Sequence, residues 1–239
     1  MKTKIQRAAE RGNANFGWLN SNHSFSFGHW YDATKMHFGA LRVLNDDVVT
    51  GGKGFGEHPH DNMEIVSIPL KGSLAHKDTT GTDGIIKTGD MQIMSAGTGI
   101  KHSEFNASKT EEVNFLQIWI MPKEQNIQPR YQQKTFDVAD RKNKWQTVVS
   151  PDEKDGSVWI NQDTVFSLAH AEKNAVFTYK NRFSGNGVYL FLIEGEAEVN
   201  GETLHKRDAM EISDADEFDI KIKTDADLLA IEVPMLDRT

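Results

Sequence analysis

The stretch Gly52 to Glu64, GKGFGEHPHDNME, sets His58 and His60 two residues apart. Alternate side chains on a strand share a face, so the two imidazoles would project side by side, a geometry that a divalent metal can bridge. Pro59 between them removes a ladder donor and places the pair on a sheet edge or at a strand start. Downstream, the Gly-rich turn of GTGIKHSE (Gly97 to Glu104) delivers a second same-face pair, His102 and Glu104. An isolated His-x-His is weak evidence, because two histidines can sit on a wet strand face for no reason. A His-x-Glu pair some forty residues later, on strands able to return to the same barrel, makes a metal site the expected reading. Three imidazoles and a carboxylate are a borderline N/O donor set suited to Fe, Ni, Cu, Zn or Mn. Such a set leaves one or two coordination positions open, the condition for catalysis. Glu64 competes with Glu104 for the carboxylate role, since even spacing would put it on the face of His58 and His60.

The other histidines carry less. His23, His29 and His37 lie in an aromatic-rich segment and read as packing residues, and Phe25, Phe27, Trp30 and Phe38 read as core that could partly wall a pocket. His76 could point into a barrel and assist a substrate, whereas His170 and His205 read as surface residues. No cysteine is present, so disulfides, thiolate metal clusters and thiol nucleophiles are excluded. No Gly-x-Gly-x-x-Gly or P-loop pattern in a βαβ setting and no G-x-S-x-G elbow is found, leaving nucleotide-driven chemistry and serine hydrolysis without machinery. With 27 Lys and Arg against 35 Asp and Glu, the charge of −8 argues against direct nucleic-acid binding. The N-terminus does not read as a secretory signal, and no apolar run approaches the ~18 residues of a membrane span. The cytoplasm is the expected compartment.

The elements that must position the site are strands. Segments such as MEIVSIPL, VNFLQIWIM, GVYLFLI and LLAIEV are short, rich in β-branched and aromatic residues, and bounded by turn formers. Only the first dozen residues and Asp137 to Lys144 look helical. The chain also aligns with itself. Setting Gly72 on Gly195 and Gly89-Asp90 on Arg207-Asp208 superposes strand, turn, strand, turn, strand. The expected organisation is all-β: a metal-binding barrel over residues 1–125, a linker over 126–136 and a degenerate barrel over 137–239. On this alignment Asn181, Phe183, Ile220 and Ile222 stand where His58, His60, His102 and Glu104 stand, so the second barrel would hold no metal in this way and reads as a structural cap. A monomer is expected, because that barrel already covers one face of the first.

The pattern G-x5-H-x-H-x3-E from Gly52 to Glu64, followed by Gly72 one residue late, resembles the cupin superfamily. The second cupin pattern is met at Gly89, Gly97, His102 and Asn106, with Ser95 in place of proline and two extra residues before His102. Those departures, together with SFSFGHWYD, LRVLNDD, GFGEHPHDNMEI, QIMSAGTGIKHSE and QIWIMP, resemble the short bacterial pirins. The resemblance implies a bicupin, two double-stranded β-helix or jelly-roll domains. It also implies a metal on His58, His60, His102 and Glu104, with Glu64 left to orient a histidine or water. The activity it implies is quercetin 2,3-dioxygenase: opening of a flavonol heterocycle with O2 and release of carbon monoxide, with Glu104 as ligand and base. The alternative is a metal-dependent regulatory module that touches proteins. A sugar isomerase is disfavoured by the motif departures.

Overall fold

The structure is a computed structural model and describes residues 1–236. The chain begins with strands β1 (Lys2–Gln6), β2 (Gly12–Asn15), β3 (Leu19–His23), β4 (Leu41–Val49), β5 (Gly54–His60) and β6 (Glu64–Lys71). It continues through β7 (Ser73–Asp78), β8 (Asp83–Lys87), β9 (Asp90–Ser95), β10 (Ile100–Asn106), β11 (Val113–Ile120) and β12 (Arg130–Thr135). The second half holds β13 (Gln146–Ser150), β14 (Val158–Trp159), β15 (Val165–Ala171), β16 (Val176–Lys180) and β17 (Gly187–Glu194). The last strands are β18 (Glu196–Val199), β19 (Glu202–His205), β20 (Ala209–Ser213), β21 (Glu217–Ile222) and β22 (Ala226–Val233).

Each half builds one large and one small sheet. The first has β12-β9-β6-β11-β4-β3-β2 facing β5-β10-β7-β8, and the second has β1-β20-β17-β22-β15-β13-β14 facing β16-β21-β18-β19. These are two cupin domains of jelly-roll type, with facing sheets rather than closed barrels. Strands such as β21, EFDIKI, alternate exposed and buried residues because one face meets water. Strands such as β6, EIVSIPLK, are buried on both faces. The large sheets pack back to back: Leu44, Val66, Ile68 and Ile118 share one core with Phe166, Tyr189, Phe191 and Ile231.

Three expectations change. The first dozen residues are mostly strand, because Lys-Thr-Lys-Ile-Gln alternates and β1 adds to the edge of β20, with Ile5 packed on the second domain's interior. Only Ala8–Glu10 and, in the other expected helix, Val138–Arg141 form short 3-10 turns. The stretch 126–136 contains β12, which pairs with β9 from Arg130↔Ser95 to Thr135↔Asp90.

The internal repeat is real in topology but slips locally. Gly72 and Gly195 occupy the turns after β6 and β17 with positive φ, and Gly89 and Arg207 those before β9 and β20. Register then makes Tyr179, Asn181, Phe218 and Ile220 the counterparts of His58, His60, His102 and Glu104: His102 pairs with His58 as Phe218 pairs with Tyr179, and Glu104 with His76 as Ile220 with Val199. The earlier alignment is off by two residues at all four positions. The turn from Ser95 to Ile100 is two residues longer than its counterpart, and the turn from Asn181 to Gly187 two residues longer than that after His60.

Candidate metal centre

His58 and His60 lie on β5, the edge strand of its sheet, where Pro59 leaves no central ladder position unpaired. Between His102↔His58 and Glu104↔Phe55 the register shifts, so β5 carries one extra residue. That bulge re-aims the strand and lets Phe55 and His58, three apart, both line one cavity. Gly54 is required by close approach: a Cβ there would lie 2.3 Å from the Glu104 carbonyl oxygen. Gly97 turns the chain into β10 with φ of 48°, where a Cβ would meet the Ile127 carbonyl oxygen at 2.0 Å.

Three imidazoles come together. Ring centroids are 4.5 Å apart for His58 and His102, 4.9 Å for His58 and His60, and 4.9 Å for His60 and His102. One ring nitrogen from each lies within 4.8 Å of the others. His58 Nδ1 is 2.8 Å from the Gly56 carbonyl oxygen, which makes it the N–H and leaves Nε2 as the lone pair. His102 is 2% exposed and neither of its ring nitrogens has a hydrogen-bond partner. Unmatched buried nitrogens are costly unless something else binds them, and a cation answers that need. Burial and the neighbouring histidines push His60 down to about 4, and burial with His58 and His76 pushes His102 down to about 3. Both imidazoles are therefore neutral, with lone pairs available, at neutral pH.

Glu104 is buried beside this cluster. It lies within the same 4.8 Å of His102 and His76, and with His58 it lines the cavity. Gln117 Nε2 donates to its Oε2 at 2.7 Å, and Ser67 Oγ lies 3.0 Å from Oε1. These contacts arise because Ser67 and Gln117 are paired neighbours on β6 and β11. His76 is buried against the cluster, its Nε2 2.8 Å from Asp78 Oδ2 and its ring 5.4 Å from that of His102. Only its position opposite Glu104 across β7 and β10 reveals this proximity.

Glu64 is not in the group. The turn at Asp61 to Met63, with Asn62 at φ of 43°, passes the chain to the other sheet and resets the alternation. Glu64 accepts from Ser95 Oγ at 2.7 Å and from the Asn161 backbone N–H at 3.2 Å, both to Oε2, and it is absent from the clusters of possible metal-binding groups among the described residues.

The cavity above the cluster has a volume of about 500 Å³. Phe16, Phe27, Trp30, Phe55 and Trp119 supply aromatic walls, so part of the Phe-rich N-terminal segment walls the pocket. Phe25 and Phe38 belong to the core between the large sheets. His23 and His29, expected as packing residues, also line the cavity, because β2, β3 and the loop after β3 fold across its mouth. His37 bonds to the Gly39 carbonyl away from the site, His170 pairs with Asp227, and His205 is exposed beside Glu196.

A two-domain cupin with a histidine cluster in its first domain defines the class, and comparison with known proteins places the chain within it. Residues 3–120 match the family description Pirin, and residues 147–233 match the quercetinase C-terminal cupin domain. The chain is 42% identical over 233 residues to quercetin 2,3-dioxygenase of Escherichia coli K12, covering 96% of this chain and 98% of that one. A pirin-like protein of Caulobacter vibrioides is 37% identical over 222 residues, covering 92% and 95%. The crystal structure of the bacterial pirin YhhW from Escherichia coli in complex with nickel(II) superposes with a TM-score of 0.93 at 40% identity, covering 98% of this chain and all of the other. The protein belongs to the pirin family. Among its described residues no helix is long and apolar enough to cross a membrane.

Proposed function

We propose that the protein is a metal-dependent flavonol dioxygenase of the quercetin 2,3-dioxygenase type, with His58, His60, His102 and Glu104 as the metal ligands. The observation that carries this reading is the triangle of imidazoles, two of its nitrogens buried without partners, at one end of an aromatic-walled cavity. Similarity to proteins named for that activity, and to a pirin crystallised with nickel(II), supports it. A divalent transition metal held there supplies Lewis acidity, which makes a flavonol 3-hydroxyl easier to deprotonate.

The chain's own residues do the rest. Trp119 and Phe27 offer flat apolar surface to a planar polycyclic substrate and keep competing water from it. Glu104 is placed to take the 3-hydroxyl proton, and Gln117 and Ser67 hold its carboxylate in one orientation. Loss of that proton gives an electron-rich flavonolate, the form that reacts with O2 and loses carbon monoxide as the heterocycle opens.

The test is aerobic quercetin loss, followed by absorbance and paired with headspace carbon monoxide, on protein reconstituted with Fe, Ni, Cu, Zn or Mn and on a chelated control. Metal-dependent loss with one carbon monoxide per quercetin is expected. Loss without carbon monoxide means metal-promoted autoxidation, and with no loss at all from a correctly loaded site the dioxygenase reading fails.

A further inference from the structure

One wall of the cavity takes no part in the chemistry above. The large sheet continues past β11 to β4 and then β3, and the cavity-lining side chains of those strands include Asn45 and Asp47 on β4 and Ser21 and His23 on β3. Asp47 is 4% exposed and His23 3%. The Ser21 hydroxyl donates to Asp47 Oδ1, and His23 Nε2 lies 2.8 Å from Ser21 Oγ. With the Ser21 proton committed to Asp47, His23 Nε2 is the donor to Ser21, and His23 Nδ1 is left without a partner. Asn45 Oδ1 also has none, and the Ser21 bond occupies Oδ1 of Asp47 rather than Oδ2. Each buried polar atom left unmatched costs about 1–3 kcal/mol. Two such atoms beside the Asp47 carboxylate, with walls made by Phe27, Trp30, Phe55 and Trp119, suit an aromatic ring that carries hydroxyl groups.

We propose that Asp47 is a specificity-determining residue whose carboxyl group binds a phenolic hydroxyl on the part of the substrate that lies beyond the histidine cluster, with Ser21 and His23 fixing its position. This rests on the flavonol reading above. Strand β4 is one strand further from the Ser67–Gln117–Glu104 contacts than β11, so Asp47 meets a different part of the ligand from Glu104. A hydroxyl suits it in either state, donating to a carboxylate or accepting from a carboxylic acid. Burial, with Asp46 beside it on β4 and Glu104 across the cavity, pushes Asp47 up to about 7 against the bond from Ser21. Arg11 and Arg207 face Asp46, at 3.8 and 3.4 Å, rather than Asp47. The second domain has Ala169 at the position of Asp47, so the fold does not require a carboxyl there.

The experiment compares quercetin with 3-hydroxyflavone, which keeps the heterocycle and the reacting hydroxyl but lacks the others, on metal-reconstituted full chain. The ratio of kcat/KM for quercetin over 3-hydroxyflavone is expected to fall about 10-fold or more in Asp47→Leu, the loss of one buried hydrogen-bond match. Asp47→Asn, whose amide both donates and accepts, should restore most of the preference. Affinities under nitrogen, from quenching of tryptophan fluorescence, should show the same loss of discrimination without turnover. An unchanged ratio in Asp47→Leu, including equal loss of both substrates, overturns the role of Asp47. If that variant does not fold, Ser21→Ala serves: a lowered ratio supports the proposal and an unchanged one overturns it. Wild-type protein that neither binds nor turns over either flavonol overturns the flavonol reading itself, and this inference with it.

Discussion

The two cupin domains share a topology and differ in what fills them. Inside the second, Tyr179, Leu190, Val199, Phe218, Ile220 and Ala230 form one continuous apolar cluster. Their counterparts in the first are His58, Ser67, His76, His102, Glu104 and Gln117. There the apolar interior is split into a patch around Leu74, Ile86 and Phe115 and another around Ile65, Met94 and Ile100, with the polar residues between them. One fold therefore supports either a packed core or a site, and a handful of inward positions decides which. The site carries unmatched buried polar atoms, while the second domain and the shared core between the large sheets supply the apolar packing.

The sharpest way to break this contrast is to give the first domain the second domain's residue. His102→Phe should remove stoichiometric metal and lower turnover by more than the roughly 100-fold that loss of an outer partner of a metal ligand costs. Its metal-free form should melt no lower than the metal-free wild type, because an apolar ring replaces two unmatched nitrogens; metal analysis and calorimetry read the two effects. The reciprocal change, Ile220→Glu, buries a carboxylate in an apolar cluster and should destabilise by about 3 kcal/mol without creating a metal site, measured by urea unfolding.

A smaller effect tests the surrounding contacts. Gln117→Ala, which installs the residue found at Ala230, leaves Glu104 Oε2 without its donor and should lower kcat by about 10-fold while metal content holds. Glu104→Gln should lose most activity or metal, and Glu64→Gln much less, since Glu64 accepts its hydrogen bonds from Ser95 and Asn161, away from the histidine cluster. The opposite ranking in metal content would return the ligand role to Glu64.

The smallest effect is in pH. His60 and His102 titrate in the folded chain near 4 and 3, below the ordinary histidine value of 6.5. The unfolded chain binds more protons between those values, so stability of the metal-free protein falls as pH drops from about 6.5 toward 3. Asp47 has the opposite sign: its raised value makes stability fall as pH rises from about 4 to about 7. Denaturant midpoints across pH should show His102→Phe flattening the acid limb and Asp47→Asn flattening the other.

Much of this was legible in the chain. Period-two alternation, turn residues at Gly72 and Gly195, and paired histidines flanked by Gly-rich turns are local signals, and they led to an all-β, two-domain cupin and to the histidine cluster. Some misreadings were of element type, since the helix expected in the first dozen residues and the linker expected over 126–136 hold strands β1 and β12, whose partners lie far along the chain; the rest were of parity and register. Glu64 keeps even spacing from His60, but a left-handed Asn62 intervenes and the parity is lost. Phe55 drew no reading, because its spacing from His58 is odd, and only a bulge gives the two a shared face. Two turns of unequal length moved the second-domain counterparts by two residues.

By itself, the sequence determined which residue types were available and that strands would present them at alternate positions, because side-chain chemistry and the two-residue period are properties of the local chain. Only the tertiary structure decided that His76 backs His102, that β1 completes the other domain's sheet, and that Asp47, Ser21 and His23 line the cavity. Each of those depends on which strands become neighbours, and strand pairing is settled by burial and loop geometry over long stretches of chain rather than by any motif.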